Sequence, residues 1–144
     1  MALSRQDMDR RMDEHFHFEA TDDVEGVLGT LSADVDHDIV GWPTGPTRGR
    51  PAARGFYETL FADLADGRID CTRRLYGPDF LVDESVWSGR AVGRPFGLEG
   101  ANRPLSFRLL HVVEFAESGE IRRENVWLDL ASILQQLAPP SSAA

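Results

Sequence analysis

The sequence contains no lysine, because all 15 of its basic residues are arginine. Without lysine the chain cannot form a Schiff base with a carbonyl substrate, and it has no amine side chain to act as a general base. Proton transfer is left to histidine, the carboxylates, tyrosine and cysteine. Tyrosine is also scarce, with two residues in 144, and cysteine occurs once.

The single cysteine, Cys71, excludes an intrachain disulfide and leaves a thiolate metal site without a second ligand. No apolar run approaches the roughly 20 residues that span a bilayer, and the charged N-terminus MALSRQDMDRRMDEHF is not a signal peptide. The net charge of −9 repels nucleic acids and anionic membranes. We therefore expect a cytoplasmic protein with neither nucleic acid nor membrane as a partner.

The first half of the chain has helical periodicity, interrupted by one strand. Apolar residues four apart, from Met8 to Ala20, predict a first helix, and DDVEGVLGTL predicts a second. Residues 33–41 alternate as a strand does, and a loop rich in Gly and Pro follows. Pro51 is typical of the first turn of a third helix, which we expect to stop at Gly67.

The second half is strand-like. Two hairpins are predicted, one around the turn Gly77-Pro78-Asp79 and one around Glu117-Ser118-Gly119, with residues 93–104 as the loop between them. A short helix, LDLASILQQL, closes a single domain over residues 1–137, and residues 138–144 (APPSSAA) are predicted to be a disordered tail. This order predicts an α+β fold, in which a curved antiparallel sheet packs on three helices.

Two segments carry a resemblance to a known family. DVDHDIVGWPTGPTRGRPAARGFYETL resembles the ketosteroid isomerases, and LLHVVEFAESGEIRRENVWLDLASILQQL resembles the SnoaL-like polyketide cyclases. Both belong to the nuclear transport factor 2-like (NTF2-like) superfamily, whose cone-shaped fold encloses one deep pocket. The resemblance covers roughly residues 12–137 and is specific for the fold, since this scaffold hosts many different functions.

The resemblance also implies roles for individual residues. Asp38 occupies the position of the general base of the isomerases, and Tyr57 matches a tyrosine that lines the pocket. The tyrosine on the first helix of the isomerases has no counterpart here, because its position falls on Glu14, next to His15. His111 replaces the catalytic aspartate of the polyketide cyclases and the second oxyanion donor of the isomerases.

His111 is supported by its own strand as well. In residues 105–116 it is the one polar residue on an otherwise apolar face, so it is expected in the core or in a cavity, where burial lowers the pKa of an imidazole. A three-residue loop in the hairpin, which we favour, would pair His111 with Asn125 and Leu109 with Trp127. Asn125 and Trp127 are then predicted to be binding residues. A two-residue loop would instead bring Val126 opposite and turn Glu124 to the same face.

The other candidates are less well determined by pattern. If Val35, His37 and Ile39 form the buried face of their strand, Asp38 points outward and His37 occupies the cavity instead. A bulge before Gly41 would turn Asp38 inward. Glu84 lies in an apolar row between Val82 and Val86 and could pair with a histidine or with an arginine at a dimer face.

His15 and Glu19 are one helical turn apart, either as a surface pair or with His15 reaching the cavity. Trp42 is a candidate pocket wall beside the Gly/Pro loop. The histidines show no metal-ligand spacing, so we predict no metal site and no cofactor.

These residues favour a cofactor-independent acid–base enzyme, with His111 and Asp38 as the catalytic pair. Its substrate would be a hydrophobic carbonyl compound, polyketide- or steroid-like, that undergoes isomerisation or aldol-type cyclisation, with Asn125, Tyr57 or Trp42 donating hydrogen bonds. One alternative is an epoxide hydrolase of the limonene type. The other is a non-catalytic module that binds a small ligand and dimerises. The family resemblance implies a homodimer.

Overall fold

The structure, a computed structural model, describes residues 2–139. Four helices pack around a curled six-stranded sheet that does not close, which confirms the predicted α+β fold. The helices are α1 (Arg5–Ala20), α2 (Val24–Gly29), α3 (Arg50–Asp63) and α4 (Leu130–Gln136). The strands are β1 (Leu31–Val40), β2 (Thr47–Arg48), β3 (Leu64–Tyr76), β4 (Phe80–Ala91), β5 (Arg103–Phe115) and β6 (Ile121–Leu128).

The sheet has the strand order β2-β1-β6-β5-β4-β3. Both predicted hairpins are present, as β3–β4 and β5–β6, and the loop between them contains a short 3₁₀ turn, Pro95–Gly97. Neighbouring strands are antiparallel except β1 and β6, which are parallel. The parallel pairing is possible because β1 and β6 are far apart in sequence and need no tight turn between them.

Helix α1 begins with a capping box between Ser4 and Asp7, in which each side chain bonds the other's backbone N–H. Its inner face buries Met8, Met12 and Phe16, as their spacing predicts. These side chains pack with α2, α3 and the sheet in the larger of two apolar clusters. The smaller cluster lies under α4.

Helix α3 is shorter than predicted, because it ends at Asp63 rather than at Gly67. Leu64 is already extended and pairs with Ala91 of β4, and both side chains are buried in the smaller cluster. The hydrogen bonds and burial gained by β3 therefore override the helix-ending preference of Gly67, which lies within the strand.

The predicted tail begins at Ala138, whose carbonyl accepts a hydrogen bond of 3.0 Å from Arg103 Nη1. Residues 140–144, to which most of that prediction refers, lie outside the described part of the chain. Within residues 2–139, no helix is long and apolar enough to cross a membrane.

Candidate active site

A single carboxylate, Glu124 of β6, lies at the centre of a group of buried polar side chains. Glu124 is 1% exposed, and Tyr57 Oη of α3 donates a hydrogen bond of 2.8 Å to its Oε2. His15 of α1 is fully buried, and its Nε2 lies 3.3 Å from Glu124 Oε1 and 3.0 Å from Glu19 Oε1. Two helices and a strand that are distant in sequence therefore meet at one carboxylate.

Two further histidines face this carboxylate without bonding to it. His37 Nε2 lies 3.6 Å from Glu124 Oε2, and His111 Nε2 lies 4.0 Å from Oε1; both separations exceed hydrogen-bond length. His37 Nε2 and His111 Nδ1 are buried and have no hydrogen-bond partner among the described residues. Native proteins pair most buried polar groups, so two unpaired imidazole nitrogens in one buried cluster are a sign of a functional site.

Burial and the neighbouring charges together determine the protonation states of His15 and Glu124. Burial opposes the charge on His15, but Glu124 and Glu19 more than offset it and raise the His15 pKa to about 10. Burial acts to raise the pKa of Glu124, yet His15 and the neighbouring imidazoles bring that pKa below its usual range. At neutral pH the structure therefore holds a buried His15 cation against a Glu124 anion.

The other two histidines of the cluster and Tyr57 stay neutral at neutral pH. Burial lowers the pKa of His37 and of His111, and Glu124 compensates only in part. Burial, followed by the charge of Glu124, raises the pKa of the Tyr57 hydroxyl well above 10. Tyr57 is therefore a hydrogen-bond donor and not an anion at any ordinary pH.

The orientation of the His111 proton follows from its surroundings. Nδ1 has no partner, and a buried N–H without an acceptor costs more than a buried lone pair that is left unused. Neutral His111 therefore carries its proton on Nε2, the nitrogen nearer Glu124. A ligand that reaches both groups from the cavity can accept a hydrogen bond from His111 Nε2–H at one atom and lose a proton to Glu124 from a neighbouring atom.

Glu124 and His111 form part of the wall of a cavity of about 80 Å³, which is room for several water molecules or one small ring. The empty space reaches about 780 Å³ when the open mouth is included. Most of the wall is apolar and aromatic, and Trp42, Phe56 and Phe96 meet edge to face at centroid distances of 4.8 and 5.2 Å. The polar residues in the wall are Glu19, Asp22, His111 and Glu124.

The favoured pairing of His111 with Asn125 is wrong. Phe115 does pair with Ile121 as predicted, but Glu114 pairs with Arg123, so Arg122 is an extra residue in β6. This bulge shifts every later pair by one and sets Val126 opposite His111. Glu124 consequently shares the inner face with His111, which is the alternative that the sequence left open.

The same shift moves two predicted binding residues away from the cavity. Asn125 is buried on the opposite side of β6, where its amide donates to the Asp38 carbonyl and accepts from Arg123. Trp127 is 42% exposed on the outer face of the sheet. Neither residue lies in the cavity wall.

Strand β1 follows simple alternation, which separates the two candidates that the sequence could not rank. His37 is 3% exposed and faces the cluster, whereas Asp38 lies on the other face with Asp34 and Asp36. Asp38 is not part of the cavity wall, so the structure does not bring Asp38 and His111 together. The sequence left open a bulge before Gly41 that would turn the acid inward, but β1 pairs with β6 without interruption from Asp36 to Val40.

In β4 the titratable residue on the inner face is Asp83, not Glu84. Asp83 is fully buried, while Glu84 is exposed on the outer face, so the prediction that Glu84 reaches the cavity or a histidine is wrong. Arg74 Nε bonds Asp83 Oδ2 at 2.7 Å, and Ser85 donates to Oδ1. Burial of this carboxylate is possible because a cation and a hydroxyl satisfy it.

Three other predicted residues lie at the site. Tyr57 and His15 belong to the polar cluster, and Trp42 is half-buried in the cavity wall. His15 is buried rather than part of a surface pair with Glu19. Glu124 and Glu19 were missed as site residues, since both depend on tertiary contacts that sequence spacing does not contain.

One group of residues could hold a metal ion, although the sequence predicted no such site. His15, Glu19 and Glu124 each offer a donor atom, and these atoms lie within 4.8 Å of one another. All three residues are already engaged with one another, and Tyr57 also bonds Glu124. The contacts fit a buried ion pair.

The four helices and the curled, unclosed sheet define an α+β protein of the NTF2-like type. The family model for SnoaL-like polyketide cyclases matches residues 6–137, and the chain belongs to this family. No curated protein sequence matches the chain.

Solved structures show the same fold. TsrD from Streptomyces laurentii superposes with a TM-score of 0.82 at 20% identity, over 94% of this chain and 98% of TsrD. A putative SnoaL-like polyketide cyclase from Jannaschia sp. CCS1 has a TM-score of 0.83 at 14% identity, over 97% and 99%. An LEH-like epoxide hydrolase from M. tuberculosis has a TM-score of 0.71 at 15% identity, over 92% and 90%.

Proposed function

We propose that this protein is an acid–base enzyme that acts on a hydrophobic carbonyl compound, with Glu124 as the base and His111 as the hydrogen-bond donor. Family membership supports an enzyme that handles small molecules. The observation that carries the specific proposal is the placement of Glu124 Oε1 and His111 Nε2, 4.0 Å apart in the wall of one apolar cavity.

In the proposed reaction, Glu124 takes a proton from the carbon next to the substrate carbonyl. The electron pair of that C–H bond moves toward the carbonyl oxygen, which accepts a hydrogen bond from His111 Nε2–H. One such preorganised donor contributes about 3 kcal/mol to transition-state stabilisation in a water-excluded site. The proton then returns to another carbon, giving isomerisation. Alternatively the enolate carbon attacks a second carbonyl, whose π-bond electrons move to its oxygen. That oxygen takes the proton from Glu124 and becomes the hydroxyl of an aldol-type cyclic product.

His15 and Tyr57 would keep Glu124 ionised and in place. Tyr57 donates to Oε2, while Oε1 faces His111 and is also approached by His15 Nε2 at 3.3 Å. The His15 cation supplies the counter-charge from the side away from the substrate, because His15 does not line the cavity. The geometry favours Glu124 in the role that the sequence assigned to Asp38.

Hydrogen–deuterium exchange tests this proposal without knowledge of the natural substrate. Small cyclic ketones in D₂O, followed by NMR, should exchange their α-protons faster with the wild-type protein. Glu124→Gln should lower that acceleration by about 10²- to 10⁴-fold, the usual contribution of a general base. His111→Phe should lower it through loss of the donor. Glu14→Gln, an exposed change on α1, is the matched control. Equal exchange rates for Glu124→Gln and wild type would refute the proposal.

Epoxide hydrolysis of the limonene type has less support. That reaction needs an arginine beside two aspartates, and among the described residues of the cavity wall none is arginine. The non-catalytic reading, in which the polar residues only satisfy one another, leaves the two unpaired histidine nitrogens unexplained.

A homodimer remains part of the proposal. The outer face of the sheet exposes Trp127 at 42%, and Val86 and Leu110 border the same hollow. An exposed apolar patch of this kind is typical of an interface. Light scattering should show that the wild-type protein is a dimer and that the Trp127→Glu variant is a monomer.

Cytoplasmic location also stays a prediction, based on the single exposed Cys71.

A further inference from the structure

The cavity wall carries negative charge on one side. Three of its side chains are carboxylates, those of Glu19, Asp22 and Glu124. Within residues 2–139, the wall contains no arginine, and the chain has no lysine. The His15 cation balances one of the two carboxylates that it contacts, so the inner part of the wall keeps a net negative charge.

The mouth of the cavity adds to this charge. Asp22 lines the mouth, and Asp66 precedes Gly67, which is also in the wall. Partial burial raises the pKa of Asp22, and the negative charge of Asp66 acts in the same direction. Neither carboxylate forms an ion pair with a basic residue of the described chain, unlike Asp70 nearby, which pairs with Arg68 at 2.8 Å.

Aromatic rings form much of the remaining wall. Trp42 meets Phe56 and Phe96, and Trp87 stacks on Phe107 at a centroid distance of 5.2 Å. The faces of such rings attract cations, especially where water is excluded. His111, 2% exposed in the same wall, has a ring nitrogen without a hydrogen-bond partner among the described residues. This nitrogen is available to bond a ligand.

We infer that the ligand of this cavity carries a protonated amine on an apolar ring and bears no anionic group. The inference rests on the proposed function in that it takes the cavity to be the substrate site. The amine would lie at the mouth between Asp22, Asp66 and Glu19, and the ring would lie against the aromatic wall. Carboxylates, phosphates and sulfates are disfavoured by the same charges.

Three rigid probes of equal size test the charge preference: 2-aminoindane, 2-indanol and indane-2-carboxylate. Their binding is measured by the fluorescence of Trp42 and Trp87 and by calorimetry. The amine should bind about 10-fold more tightly than the alcohol, and the carboxylate should bind most weakly. The advantage of the amine should shrink as NaCl rises from about 20 to about 500 mM, because salt screens the exposed part of the interaction.

The single variants Asp22→Asn and Asp66→Asn each remove one negative charge, and the double variant removes both. Both residues have φ near +55°, a conformation that asparagine adopts readily, so the variants should fold. The double variant should bind the amine and the alcohol equally. Asp36→Asn, which removes an equal charge from the outer face of β1, is the matched control and should keep the preference.

The outcomes separate this inference from the proposed function. If the alcohol or the carboxylate binds as tightly as the amine, or if the double variant keeps the preference, the inference is wrong, while ketone exchange by wild type can still support the proposed function. If the amine is preferred but Glu124→Gln exchanges ketone protons normally, the proposed function is wrong and the inference stands. If none of the three probes binds, the inference is wrong, and ketone exchange by wild type and Glu124→Gln alone decides the proposed function.

Discussion

His15 Nδ1 and Thr30 Oγ1 lie 2.7 Å apart, and Thr30 donates its one hydroxyl hydrogen to the Val27 carbonyl at 2.6 Å. The Thr30 oxygen must therefore accept from His15 Nδ1–H, because it has no second hydrogen to give. The Nε2 edge of the ring is thereby directed toward Glu19, Glu124 and Tyr57. A residue at the end of α2 thus sets the orientation of the buried imidazole.

Replacing Thr30 by valine should remove the hydrogen bond that orients the His15 ring. The shape of the side chain is kept, but the acceptor for His15 Nδ1–H is lost, so the variant should lose about 1 to 3 kcal/mol of unfolding free energy. NMR should also show a lower His15 pKa, since the cation loses a hydrogen bond. Thr30→Ser keeps the oxygen and should behave like wild type. A His15 pKa that is the same in the valine variant would show that Thr30 does not hold the ring.

Stability should fall as the pH rises above neutrality. His15 binds its proton more tightly in the folded protein, with a pKa of about 10, than in the unfolded chain, where the ordinary value is 6.5. Its contribution is complete below about pH 6.5 and is lost as the pH rises through about 10. Urea unfolding across this window should show the decline, and His15→Gln should remove it. A wild-type stability that stays constant there would contradict a buried His15 cation.

Below neutral pH, the free energy of unfolding should rise as the pH rises. Burial lowers the pKa of His37 and His111, so the unfolded chain binds these protons more readily, and stability rises with pH through the ordinary range of imidazole. Protons on the Glu124 carboxylate act in the same direction at lower pH. Stability should therefore be greatest near neutral pH.

Removing the charge of Asp38 should leave the proposed activity almost unchanged. Asp38 lies on the outer face of β1 and is not in the cavity wall, so Asp38→Asn should exchange ketone α-protons within about twofold of the wild-type rate, as expected for a group outside the reacting geometry. Circular dichroism checks that the variant is folded. A loss as large as that of Glu124→Gln would restore Asp38 as the base.

Two adjacent acids in β4 should differ sharply in their effect on stability. Asp83→Asn leaves Arg74, 10% exposed, without its buried partner, and breaking a buried pair costs about 3 to 5 kcal/mol. Asp9 and Asp13 also contact Arg74, which should keep the loss near the lower end of that range. Glu84→Gln on the outer face should change stability by less than about 0.5 kcal/mol. Equal losses in urea unfolding would contradict the assignment of faces.

Local patterns in the sequence predicted the elements well where one periodicity was clear. The stripe of Met8, Met12 and Phe16 predicted α1, and the turn at Gly77 predicted the β3–β4 hairpin. Alternation also predicted that His111 faces inward, since one polar residue in an apolar row is informative by itself. Patterns failed at Glu84, because both faces of β4 carry apolar residues and the strand could be read either way.

The sequence by itself determined the α+β class, the candidate histidine in the penultimate strand and an inventory of acid–base groups without lysine. The tertiary structure alone decided which carboxylate meets His111. A bulge at Arg122 turns Glu124 inward and Trp127 outward. One register places Asn125 and Trp127 inward and the other places Glu124 and Val126 inward, so each has one polar and one apolar residue and hydrophobicity alone does not choose between them. The burial of His15, Tyr57 and Glu124 together is likewise a tertiary effect, because each becomes tolerable only when the others are present.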